Sequence, residues 1–409
     1  MRRAYAAWAG AIVWLLCGVP AAAQQSLARE YLTQVRGQAG APGVSAAVSV
    51  RGRVVFSEGV GVAELSHGAK QTGRTVHNIG SVSKVETAVA IMQLVERGKV
   101  QLDAEIQRYA PWFPRKAKPI TLRQLLTHTS GIRHYREGEL RATNCNVLRH
   151  YDSFEESTRF WRDDPLLFAP GSHFEYSSFA INLLQAVIER ATGLSFEAYM
   201  REHVWQPAGM LDSQFDVPAR VVERRGRAYR RSDSSGQLEN PVEEDLSYKY
   251  ASGGMLASDE DLCRFGHALN SGVLLGAATL AELYRLQLPK SVKSFGEEDA
   301  SPAPSEVQAL GFRISKDDRG HTHAGHAGFV KGSATQFYNY FQDDVSVAVY
   351  MNAPSEAVDL ADVAETLAAL FDSVSSEREA ALVDALFVAM PRTITLTPVL
   401  GRFAAHSLR

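Results

Sequence analysis

Apolar positions along the chain fall into two kinds of run. Val44 to Val50 and Val54 to Val60 are short, rich in β-branched residues and separated by Arg51-Gly52, which predicts a hairpin. Val82 to Glu96 is apolar on nearly every side and is followed by Gly98, the pattern of a buried helix with a C-terminal stop. Phe179 to Ala191, closed by Gly193, predicts a second such helix. Leu27 to Gln38, Ile120 to Leu126 and Ser195 to His203 suit shorter helices, the middle one ended by His128-Thr129-Ser130-Gly131. Ser258 before Asp259, Glu260 and Asp261 predicts a capped helix with negative charge where its N-terminus favours it. Strand patterns return at Leu310 to Ile314, Ser333 to Tyr340 and Val345 to Met351, and Val358 to Ser373 predicts a closing helix. Glu137 to Asp164 reads as a polar surface insertion and Pro289 to Glu306 as a loop.

Strands therefore lie at both chain ends and helices fill the middle. The simplest packing is an α/β fold of the α+β type: one antiparallel sheet built from both ends, flanked by terminal helices, with a mostly helical region beside it. The sheet part takes residues 24–80 and 306–375, the helical part residues 81–305. Ligand clefts favour such a junction. Residues 376–409 carry no pattern that assigns them a role.

Composition narrows the function classes. With 45% hydrophobic residues and a net charge of −3 over 409 residues, the chain suits a packed core and not a disordered state. No cationic excess exists to neutralise phosphates, so nucleic acid is not an expected partner. Three cysteines exclude a disulfide framework; Cys145 and Cys263 suffice for one bridge and require none. Arg2 and Arg3, the apolar Ala4 to Val19 and the small Ala21-Ala22-Ala23 predict a secretory signal peptide over residues 1–23, hence a periplasmic or secreted protein. No later run is long enough to span a bilayer.

Three groups of residues could carry chemistry. Ser81-Val82-Ser83-Lys84 opens the buried helix, and positions i and i+3 share a helix face, so the Lys84 amine can lie beside the Ser81 hydroxyl. A lysine whose proton affinity is lowered by burial can serve as the base a serine nucleophile needs. The free N–H groups of the helix start can stabilise an oxyanion. The same spacing also suits an N-cap serine and a solvated lysine, although the apolar residues that follow count against it. Tyr176, on a loop before the second apolar helix, could carry a proton or simply pack. Gly325-His326-Ala327-Gly328 repeats the register of His323-Ala324-Gly325, and spacing leaves either possible. His321, His323 and His326 allow a metal-dependent hydrolase, but no helix carrying two histidine ligands or cysteine ligand accompanies them, and no metal or other cofactor is expected.

In this order the three groups resemble the serine β-lactamase and penicillin-binding protein superfamily, in its class-C-like branch. Ile120 to Gly131, Phe168 to Tyr176, Pro207-Ala208-Gly209-Met210 and Ser252-Gly253-Gly254-Met255 are similar to strings of that branch. Ser130 to Tyr135, Asp164 to Phe168 and Ser247-Tyr248-Lys249-Tyr250 look like the mitochondrial serine β-lactamase-like subgroup and its bacterial relatives. The resemblance implies Ser81 as nucleophile, Lys84 as its base and Tyr176 as the acid/base serving the leaving group. It places His326 where a Lys-Thr-Gly motif usually has lysine, and Gly332 favours that later register. It implies oxyanion donors at the backbone N–H groups of Ser81 and Phe329, beside Gly328. Ser178 stands where lactamases of the branch carry an asparagine that holds the substrate amide.

The expected function is a serine hydrolase forming an acyl-enzyme with an amide, peptide or ester. A peptidase or esterase fits better than a dedicated lactamase, given Ser178 and a histidine that is mostly neutral near pH 7. The alternative is a non-catalytic binding or self-assembling protein on the same fold. Self-assembly is in any case compatible with the resemblance.

Overall fold

The computed structural model describes residues 21–372 apart from residues 137, 140–144, 233 and 298–300. The expected leader up to residue 20 and the tail beyond residue 372 lie outside the described residues. The described chain opens with helix α1 (Ala21–Ala39), longer than the pattern predicts at its N-terminal end. Strands β1 (Gly43–Val50), β2 (Arg53–Glu64) and the short β3 (Ala69–Lys70) follow, then helix α2 (Ser83–Glu96). Helices α3 (Ser178–Thr192) and α4 (Asp259–Asn270) belong to the middle of the chain. The C-terminal part holds β4 (Arg313–Lys316), β5 (Thr322–Val330), β6 (Ser333–Tyr340), β7 (Val345–Met351) and helix α5 (Leu360–Phe371).

These seven strands form one antiparallel sheet in the order β4-β5-β6-β7-β1-β2-β3. The chain ends meet at its centre, with Val44 opposite Met351 and Val48 opposite Val347. Alternation along β1 explains the two cores. Val44, Ala46 and Val48 turn toward α1 and α5, where Leu32, Val363 and Leu367 cover them. Ala47 turns the other way, into the core shared with α2, α3 and α4. A strand covered on both faces reads as a continuous apolar run, so β1 and β7 are legible in the sequence. Phe337 of β6 is fully buried in the second core, 5.9 Å from the Phe265 ring of α4. Phe337→Ala is expected to cost about 3–5 kcal/mol, seen as a lower denaturant midpoint at unchanged slope.

One strand goes beyond the pattern and two readings of it are corrected. Thr322–Val330 is a full strand, although its small residues and two glycines hide any alternation. The 137–164 stretch is more than a surface insertion: Val147, Tyr151, Phe154 and Trp161 are buried, and Trp161 stacks on Phe179 at 4.6 Å. The 289–306 loop holds Lys293–Ser294, paired with His173–Phe174, and the helical turn Pro304–Val307. Among the described residues no helix is long and apolar enough to cross a membrane.

Candidate active site

The approach to Ser81 is fixed by buried polar bonds. His77 pairs with Ala257, and its Nε2 meets Asp259 Oδ1 at 3.0 Å with both side chains fully buried. The other Asp259 oxygen accepts from Ser45 Oγ of β1 at 2.6 Å. Ile79 N–H donates to Met255 O at 3.1 Å, and Gly80 N–H to Asn78 Oδ1 at 2.8 Å. A tight turn, Gly80–Val82, then carries Ser81 into α2. Gly80 takes a φ of +51°, where a side chain is strained.

The turn abuts β5 at two glycines. A Cβ on Gly328 would stand 2.0 Å from Ile79 O and 3.1 Å from Ser81 N, and one on Gly80 2.7 Å from Phe329 N. Only backbone fits between them, and the Ser81 and Phe329 nitrogens lie on either side of this contact. Strand β4 pairs with β5 only from Thr322 to Gly325, so residues 326–330 keep an edge free of β4. The Phe329 side chain is 41% exposed beside it.

Ser81 Oγ lies 2.8 Å from Lys84 Nζ and 2.7 Å from the Tyr176 hydroxyl. Lys84 Nζ stands 4.9 Å from the centre of the Tyr176 ring. Lys84 is completely buried. Burial first, then the positive charges of Lys249 and Arg313, pushes its proton affinity well below the ordinary lysine range. Its second partner is the Ser252 carbonyl at 2.7 Å. Burial raises Tyr176 to about 12, against its hydrogen bond to Ser81, so the phenol keeps its proton. A hydroxyl between a neutral amine and a protonated phenol can lose its proton to one and receive one from the other.

Two histidines hold the Tyr176 loop. Ser177 N–H donates to His128 Nδ1 and Ser178 N–H to His134 Nδ1, each at 3.2 Å. The His128 ring lies 4.6 Å from that of Tyr176. Desolvation first, with the Arg313 charge adding to it, holds His128 well below the usual histidine range, so it is able to accept. Ser177 Oγ caps α3 through Ala180 N–H at 3.1 Å.

His326 on β5 lies beside Tyr176, their ring centres 5.9 Å apart. It is buried, and desolvation followed by the Arg313 charge keeps it neutral. Its Nδ1 meets the Ala327 carbonyl at 2.5 Å, leaving Nε2 as the acceptor face. Ser178 is 4% exposed at the start of α3, where its hydroxyl neighbours Tyr135 and Tyr176. The fold thus gathers Ser81, Lys84, Tyr176, Ser178, His326, Gly328 and Phe329. It separates the three histidines: His323 Nε2 lies 3.5 Å from Glu365 of α5, and His321 Nδ1 lies 3.1 Å from Asp343 and 3.4 Å from Asp372. Arg319 already reaches that Asp372 oxygen at 3.3 Å. Cys263 carries a free buried thiol that donates to Ala47 O at 3.2 Å, and the side chain of Cys145 lies outside the described residues. Sequence reading misses His128, His134, the Ser252 carbonyl, Lys249 and Arg313. Only the strings quoted above contain the first four, and nothing local marks their roles.

A model of the Beta-lactamase family matches residues 28–370. The chain belongs to the β-lactamase family. This is a family of serine hydrolases. The chain is 31% identical over 312 residues to the human serine beta-lactamase-like protein LACTB, mitochondrial, covering 61% of this chain and 57% of that protein. It thus spans little more than half the length of such curated relatives. It is 37% identical over 185 residues to esterase EstB of Burkholderia gladioli, covering 42% of this chain and 47% of that protein. In fold it is similar to the octameric penicillin-binding protein homologue from Pyrococcus abyssi, with a TM-score of 0.70 and 24% identity over 89% of this chain and 77% of that one. It is also similar to a D-stereospecific amidohydrolase from Streptomyces, with a TM-score of 0.68 and 23% identity over 86% and 99%.

Proposed function

We propose that this protein is an acyl-transferring hydrolase of amides, peptides or esters. The observation that carries it is the Ser81 hydroxyl held 2.8 Å from a buried amine and 2.7 Å from a half-buried phenol. Ser81 Oγ adds to the substrate carbonyl carbon as its proton passes to Lys84. The Ser81 and Phe329 N–H groups receive the charge that develops on the carbonyl oxygen. Tyr176 gives its proton to the leaving nitrogen or oxygen as that bond breaks, and regains one from Lys84. Water enters by the reverse route and frees Ser81 with release of the acid.

Two features favour a peptidase or esterase over a dedicated lactamase. Ser178 offers one hydroxyl, already among Tyr135 and Tyr176, where an asparagine would present an amide. His326 is neutral, so the fixed positive charge near the site comes from Arg313 and Lys249. An esterase and an amidohydrolase among the similar proteins agree with this substrate class. We further propose export after removal of residues 1–23 and self-association, the latter in keeping with an octameric relative.

Mass spectrometry after exposure to a panel of esters, D- and L-peptides and β-lactams tests the reading. An acyl adduct on the peptide holding Ser81 is the expected result; turnover with the adduct on another residue overturns it. Gly328→Ala is expected to slow acylation about 10²-fold with native circular dichroism, because its Cβ would push β5 from the Ser81 turn and part the two N–H groups.

A further inference from the structure

Ser247-Tyr248-Lys249-Tyr250 takes no direct part in that chemistry, yet its lysine is 7% exposed and lies 2.8 Å from Glu244, itself 4% exposed. The Tyr248 hydroxyl donates to the same carboxylate oxygen. The other oxygen faces Lys331 Nζ at 3.6 Å, in the turn just past Phe329. The Lys249 carbonyl accepts from Ser252 N–H at 3.0 Å and Gly253 N–H at 2.9 Å. It therefore anchors the helical turn Tyr250–Gly253, whose Ser252 carbonyl meets Lys84. From α3, Asn182 Nδ2 donates to Tyr248 O at 3.2 Å. A buried ion pair gains little stability over apolar residues of the same shape, so stability alone gives no reason for this one.

We propose that the Glu244–Lys249 pair is a positioning element of the active site: it fixes the Ser252 carbonyl against Lys84 and, through Lys331, ties that turn to the strand carrying Phe329. The proposal rests on the reading of Ser81 and Lys84 given above. The pair also shapes the field at the amine. Lys84 is faced by Lys249 from this segment, Arg313 from β4, His326 from β5, His128 from the loop after Leu126, and Tyr176 from the loop before α3. Glu86 on the same helix is held by Trp205 Nε1 at 2.7 Å. Of these groups Lys249 has the largest charge effect on Lys84, and Glu244 is its counter-charge at 2.8 Å. Burial opposes the Glu244 charge, but Lys249 and Lys331 hold its carboxyl below the usual range, so it stays ionised.

The pH dependence of Ser81 labelling by a fluorophosphonate separates positioning from a merely structural role. In Lys249→Met the amine keeps its proton more tightly, and the acid limb moves to higher pH. In Glu244→Gln the lysine loses its counter-charge, and the limb moves to lower pH. Rates at a fixed pH on that limb are expected to fall and rise, respectively, about three- to tenfold. Lys249→Arg keeps the charge and restores the wild-type limb. The double variant Glu244→Gln/Lys249→Met removes both members of the pair, leaving only the half-buried Lys331 without its carboxylate, and its limb moves upward. Folded variants whose limbs stay in place while all rates scale together overturn the proposal. A wild type labelled elsewhere than Ser81 overturns instead the reading beneath it.

Discussion

Ser81→Ala is expected to take up no covalent label and to turn over substrate at least about 10⁴-fold more slowly than the wild type. The change removes one oxygen from a half-buried position. Lys84 keeps its 2.7 Å contact to the Ser252 carbonyl, and the backbone N–H pair beside Gly328 is untouched. Stability should therefore stay within about 0.5 kcal/mol of the wild type. What disappears is the hydroxyl hydrogen-bonded to both the amine and the phenol, and with it the covalent route. The residual rate measures what oxyanion donors and binding achieve without a nucleophile. Labelling and turnover are read on the same preparation, with and without a chelator. Labelling that survives the substitution removes the nucleophile from Ser81, and activity lost to the chelator alone restores the metal reading.

Lys84→Met should slow acylation about 10³- to 10⁴-fold while raising the melting temperature. Activity falls because the other hydrogen-bond partner of Ser81 Oγ among the described residues cannot take its proton: Tyr176, raised to about 12 by burial, is a donor at neutral pH. Stability rises for the reason the lysine is useful. The folded chain holds Lys84 well below the ordinary lysine range, chiefly through desolvation. Between its folded and unfolded values the unfolded chain binds one more proton, so the wild type loses stability as pH falls through that window. Methionine carries no such penalty. The difference in melting temperature should be widest at neutral and acid pH and close at alkaline pH, and a variant less stable at neutral pH would contradict it. In the wild type the acylation rate rises with pH as Lys84 loses its proton.

Long apolar runs and their punctuation made the frame legible. The hairpin around Arg51-Gly52, the all-round apolar α2 and the strands Ser333–Tyr340 and Val345–Met351 follow from local pattern, because each buries residues its own spacing already groups. Strand β5 escaped that logic. Its glycines serve contact with the Ser81 turn and with β6, and such contacts leave no periodic mark. The 137–164 segment escaped it too, since its aromatics dock on partners far apart in the chain, Trp161 on Phe179 of α3, Phe154 on Trp112 and Tyr151 beside Tyr248.

The sequence by itself determined the pairing of a serine with a lysine, since one helical turn suffices to bring them together. It also determined the antiparallel sheet from both ends, through apolar runs that must share a core. Only the tertiary structure decided that the lysine is stripped of water. That required walls from α3, the Ser252 turn and β5, segments far apart along the chain. The resemblance and Gly332 already favoured His326 over His323; the tertiary structure supplies the reason, because residues three apart on one strand take opposite sides and of the two only His326 lies beside Tyr176. Proximity within a helix is a short-range property; desolvation belongs to the assembled whole.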